Sequence, residues 1–168
     1  MCSSAWMDLK SPYLPKVLPI MVDNMRRSSN PLGISGGKLS SWADGLDLAN
    51  KGETLLYTGC EYQLIPYVLT LVDQIKKMGP FAYEGGALVS VAMGLRKLGL
   101  DAATAFASLT AKDEDYYNNI TRTYAKVLQK HGVDFAYLGE EEPYSGALLY
   151  EFGLMDEFAE HANKVSRL

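Results

Sequence analysis

Glu53-Thr54-Leu55-Leu56-Tyr57-Thr58-Gly59-Cys60 decides how this chain is read. The run is short and apolar at its centre, and Gly52 and Gly59 bound it, the pattern of a buried parallel strand. Its counterpart is Val133-Asp134-Phe135-Ala136-Tyr137-Leu138-Gly139, which starts directly after Gly132. Helical patterns fill the space between the two runs and follow the second. Strand, helices, strand, helix is the order of an α/β unit. The expected fold is therefore α/β, a small parallel sheet containing residues 53–58 and 133–138, flanked by helices. Two strands leave exposed edges, so either the N-terminal segment supplies another strand or a partner covers the edge.

Outward from these runs, a helix is predicted from about Leu64 to Met78, closed by Gly79-Pro80. Glu84 to Leu98 reads as a second helix, and Asp101 caps a third through Leu109. A stronger one begins at Asp113, with acidic residues in its first turn, an apolar face of Ile120, Tyr124, Val127 and Leu128, and Gly132 as its stop. The last runs from Met155 to about Arg167. Upstream, Pro19 fits the first turn of a helix to about Arg27, Asn30-Pro31-Leu32-Gly33 opens a loop, and Lys38 to Asn50 reads as a short amphipathic helix carrying Trp42. The whole is one domain, residues 1–168, with an irregular N-terminal segment over 1–50 and a helical insertion over 79–110.

Composition narrows the function classes. Of 168 residues 48% are apolar, enough for a real core, and 16 basic against 20 acidic side chains leave a net charge of −4. A binder of phosphate backbones needs a basic surplus, so no nucleic-acid partner is expected. No apolar run reaches the roughly 18 residues of a membrane span, and Met1 to Trp6 lacks the pattern of a secretion signal. Cys2 and Cys60 make neither a disulfide framework nor a four-ligand metal site. A cytoplasmic protein is expected.

Cys60 follows the first run at the end where open α/β sheets place ligands. A thiol there can ligate metal or act as a nucleophile, and it is the candidate catalytic residue; it also reads as a small buried hydrophobe in a Gly-Cys turn. Glu140-Glu141-Glu142 follows the second run and reads either as a proton-transfer or cation site or as a solvated loop. Tyr144, Ser145 and Gly146 come next. The candidate crevice is thus Gly59, Cys60, Glu142, Tyr144, Ser145 and Gly146. His131 and His161 lie at or beside helix ends and read as solvated surface residues.

Several of these pieces, in this order, resemble a known family. Asn30-Pro31-Leu32-Gly33, Trp42, Tyr57-Thr58-Gly59-Cys60, then Val133 through Glu142 followed by Gly146, are similar to the cysteine-rich domain of heterodisulfide reductase-type and glycolate oxidase iron-sulfur subunits. The resemblance covers roughly residues 30–66 and 120–165. It implies an electron-transfer setting, redox partner subunits, and cysteines that hold an iron-sulfur cluster. The chain departs from the family at those cysteines. Where the family has Cys-Cys-Gly, this chain has Tyr144-Ser145-Gly146, and the family's Cys-x-x-Cys segment falls beyond Leu168. One thiolate cannot hold such a cluster, so no cofactor is expected in the isolated chain. The resemblance implies a non-catalytic or partner-dependent subunit in a homo- or hetero-oligomer; the alternative is a thiol-based redox enzyme using Cys60.

Overall fold

The computed structural model describes residues 18–77 and 111–168. Helix α1, Leu18–Ser28, carries Pro19 in its first turn, where an N–H has no helical partner to lose, and Arg26 and Arg27 in its last. Leu18, Val22 and Met25 recur at steps of four and three and are buried. The helix ends on Ser29, whose positive φ of 59° turns the chain while its N–H bonds Met25 O at 3.0 Å. The predicted helix from Lys38 to Asn50 is shorter than expected. It is α2, Gly36–Ser40, continued as a 3-10 turn over Ser41–Ala43.

Helix α3, Glu61–Lys77, starts from Cys60, whose O accepts Leu64 N–H at 3.0 Å. Pro66 lies inside it without ending it, since only one hydrogen bond of the ladder is lost there. Helix α4, Glu114–Lys130, opens on Glu114 and Asp115 and closes at Gly132, with φ of 74°. The Tyr67 hydroxyl donates to Glu114 at 2.7 Å and Lys112 N–H to Thr70 Oγ1 at 3.1 Å, which fixes the start of α4 against α3. Helices α5, Ala147–Glu151, and α6, Met155–Val165, close the chain. The expected helices over 84–98 and 101–109, with the whole insertion 79–110, lie outside the described residues.

The α/β expectation is overturned. Among the described residues there is no sheet, only two isolated parallel bridges, Ala49 with Ala136 and Leu55 with Ala136. Leu56 N–H to Ala136 O, Ala136 N–H to Thr54 O and Tyr137 N–H to Ala49 O, each 2.8 Å, are the whole of the pairing. The runs 53–58 and 133–138 lie side by side around Ala136, but 53 and 54 bend, Leu138 is already helical in its backbone, and each run leaves the other after one residue. Tyr57 and Thr58 turn to bond Pro143 and Glu142, while the partner run enters a 3-10 turn, Gly139–Glu141, at a positive φ of Gly139. The described chain is helical, and the extended runs serve as spacers that deliver their ends to one place.

Two apolar clusters hold these parts. The larger gathers α1, α3 and the segment from Tyr144 to Leu154 around Leu18, Tyr67 and Leu149. The smaller surrounds Trp42, fully buried against Ala125, Phe135 and Tyr137. The Trp42 indole N–H donates to the Tyr137 hydroxyl at 3.0 Å with ring centroids 4.6 Å apart, and Arg122 donates to Trp42 O at 2.8 Å.

Candidate functional site

The site forms where two loops meet end to end. Asn30 braces the approach: its side-chain oxygen accepts Leu32 N–H and Ile34 N–H at 3.2 and 3.1 Å, and its amide donates to Ile34 O at 2.7 Å. This turns Asn30-Pro31-Leu32-Gly33 into a rigid bracket, and Ser29 O at its start accepts Tyr144 N–H at 2.8 Å. An Asn side chain can mimic a backbone turn in this way.

Glu142 is the centre of the arrangement. Of the acidic triplet, Glu140 and Glu141 are exposed on the 3-10 turn, whereas Glu142 turns inward and is 5% exposed. Its carboxylate accepts Thr58 N–H at 2.5 Å, Thr58 Oγ1 at 2.7 Å and Gly59 N–H at 3.3 Å. Tyr137, which receives the Trp42 indole, hydrogen-bonds toward it as well. Loss of solvent raises the Glu142 pKa above its ordinary 4.5, against the hydrogen bonds from Thr58, Gly59 and Tyr137, which favour the charged form.

Cys60 lies beside that carboxylate. Its backbone has a positive φ of 58°, and its Sγ faces Glu142 O at 3.5 Å and Glu142 Oε2 at 3.8 Å. Burial first, then the charge and hydrogen bond of Glu142 and the charge of Glu61, hold the thiol far above its ordinary value. A reactive cysteine needs the opposite surroundings, a nearby cation or a helix N-terminus facing a solvated sulfur. Cys60 does precede α3, but the acids outweigh that end.

The other crevice residues close the joint. Ser145 N–H donates to Gly59 O at 3.2 Å, and Ser145 Oγ bonds the Glu61 carboxylate. A Cβ on Gly59 would stand 2.9 Å from Ser145 Cβ, so glycine is what lets the two loops of the joint touch. Tyr144 O accepts from His161 Nε2 at 2.5 Å; since a carbonyl only accepts, that nitrogen carries the proton. Gly146 has φ of 85°, and a Cβ there would lie 2.8 Å from the His161 ring. Gly59, Cys60, Glu142, Tyr144, Ser145 and Gly146 therefore meet in space, bonded across sequence separations from 82 (Cys60 to Glu142) to 86 (Gly59 to Ser145).

His161 corrects the surface reading, being 8% exposed, while His131 is exposed as expected. Thr58, Gln63 and Tyr137 belong to the joint without having been singled out. Gln63 donates to Thr58 Oγ1 at 2.9 Å, and its own Oε1 is buried without a partner. The polar run after Tyr57 was the only signal for Thr58 and Gln63.

The donor set does not fit the iron-sulfur cluster that the resemblance implies. One thiol, itself directed at Glu142, stands among oxygen donors that are poor ligands for such a cluster. Among the described residues no group of three or more His, Cys, Asp or Glu could hold a metal ion, and no helix is long and apolar enough to cross a membrane. No protein-family model matches the chain, and no curated protein or solved structure is significantly similar to it.

Two expected results arise here. Native Cys60 should resist iodoacetamide near pH 8 and react fully once the chain is unfolded in denaturant, with peptide mass mapping as the readout; Cys60→Ser should cost only about 1 kcal/mol. The Glu142 shift also fixes a sign. A carboxyl raised in the folded state binds its proton more tightly there than when unfolded. Stability from this group is thus full below pH 4.5 and declines as pH rises from 4.5 through the raised value. Urea titrations across that window should show the decline, and Glu142→Gln should remove it. An identical slope in the variant would assign it to other groups.

Proposed function

We propose that the chain is a heterodisulfide reductase-related subunit that is non-catalytic by itself and works by assembling with redox partner subunits in the cytoplasm. The single observation that carries this reading is the joint between Gly59-Cys60 and Glu142 to Gly146. These are the positions at which the resembled family gathers its cluster ligands, and here they come together with their polar groups bonded to one another. Such an arrangement ties two chain segments and leaves no activated group. The net charge of −4 supports protein rather than nucleic-acid partners. Against thiol-based chemistry at Cys60 stand its burial and the adjoining Glu142 carboxylate.

The test is anaerobic purification of the full chain, followed by iron and labile sulfide analysis of wild type and Cys60→Ser. The expected result is substoichiometric iron in both, with redox subunits co-purifying from the native source. A brown protein with stoichiometric iron that Cys60→Ser abolishes would overturn the reading.

A further inference from the structure

The face of α3 opposite Leu64 and Tyr67 is apolar and exposed. Tyr62, Val68, Leu69 and Val72 each keep about two-fifths of their surface in solvent, at 40, 43, 42 and 39%. With half-buried Ile65, the positions 62, 65, 69 and 72 follow steps of three, four and three, the spacing of a helix-pairing seam. The same spacing continues to Lys76. Glu61, exposed although its carboxylate also accepts the Ser145 hydroxyl, stands at the N-terminal end of this stripe, and Lys76, beside the Asp73–Lys77 ion pair, at the other, about 22 Å away at 1.5 Å per residue.

We propose that this stripe pairs antiparallel with the same stripe of a second copy, about a two-fold axis passing between Val68 and Leu69. The charges select the occupant and its direction. In the antiparallel pair Glu61 of one copy approaches Lys76 of the other at both ends. A parallel pair would place like charges together and align the helix dipoles. An isologous contact needs a surface complementary to itself, and this stripe is one: acidic at one end, basic at the other, apolar between. The inference rests on the reading of the chain as an assembling subunit and adds its partner and its face.

The test uses the full chain with Cys2→Ser. Analytical ultracentrifugation should show a monomer–dimer equilibrium that Leu69→Glu abolishes and Lys76→Glu weakens at least tenfold. Under mild oxidation Leu69→Cys, next to the axis, should trap a disulfide dimer. Tyr62→Cys, whose two copies would lie about 20 Å apart, should not. Equal trapping of Tyr62→Cys would overturn the antiparallel geometry. A chain that stays monomeric, whether Leu69→Glu unfolds it (cover from within the chain, as by residues 78–110) or instead abolishes capture of a different protein, would overturn the second copy as occupant. Iron analysis is independent of all these arms, so loss of the dimer and failure of the non-catalytic reading are separately visible.

Discussion

Glu142→Ala should be the most destabilising truncation in the joint, costing about 3–5 kcal/mol in urea unfolding followed by circular dichroism. The carboxylate accepts Thr58 N–H, Gly59 N–H and the Thr58 hydroxyl, all in a place that water does not reach freely. Alanine leaves two backbone donors without partners, and each orphan carries a full desolvation cost. Glu142→Gln separates charge from shape. Its amide oxygen still accepts the two N–H groups, so it should cost about 1–2 kcal/mol. Equal losses for Ala and Gln would show that the negative charge, and not the hydrogen-bond count, holds the joint. A loss below about 0.5 kcal/mol for Ala would mean that the joint is incidental to stability.

Gly36→Ala should be as damaging for a different reason. A Cβ at this position would stand 2.1 Å from Glu140 O and 2.9 Å from Glu140 C, both backbone atoms. Relief requires the 3-10 turn Gly139–Glu141 to move by about an ångström, and overpacking of this kind costs about 3 kcal/mol or more when backbone must yield. The displaced turn leads straight into Glu142. Gly36→Ala should therefore also expose Cys60, and iodoacetamide labelling of the folded variant should rise well above wild type. Gly45→Ala is the control. Its φ is 76° but nothing lies within 4 Å of the added carbon, so only backbone strain of about 1 kcal/mol should appear. Labelling unchanged from wild type in Gly36→Ala would show that the turn and the joint move independently.

The helices were legible because their signals are local. Pro19 opens the first helix and Arg26 and Arg27 close it, and Asp113 and Gly132 bracket α4 close to where the structure puts its ends. The buried faces differ: Leu18, Val22 and Met25 rather than Ile20, Met21 and Met25 in α1, and Thr121 and Ala125 rather than Tyr124 and Val127 in α4. The sheet was misread because a short apolar run bounded by glycines describes any buried extended segment. Whether it joins a ladder depends on what its neighbours do next. Ala136 is paired on both sides, yet Thr58 and Gly139 turn away at once. The meeting of Gly59-Cys60 with Glu142 to Gly146 was anticipated from the expected side-by-side placement of the two apolar runs, whose carboxyl ends then share one edge, and the resemblance repeated it; no local rule links positions more than 80 apart. The inward turn of Glu142 was illegible for the same reason. Three consecutive glutamates look alike until the donors of Thr58 and Gly59 select one of them. His161 was misplaced because its partner is the carbonyl of Tyr144, on another element.

The wide sequence separation of the joint also governs the order in which this chain can acquire its structure during synthesis. Thr58 and Gly59 leave the ribosome long before Glu142, the group that accepts their hydrogens, has been translated. Over those 84 residues the Thr58 and Gly59 N–H groups have only water in place of the Glu142 carboxylate. Helices α1 and α3 can form early from local contacts, whereas the positive φ of Cys60 has nothing to hold it. Closing so long a loop carries an entropic cost that must be met before its contacts reward it. Nascent chains arrested shortly before Glu142 should therefore be cut by proteases between α2 and α3, and chains extended past Gly146 and free of the exit tunnel should resist. The last acid of the triplet would then act as a latch in time as well as in space.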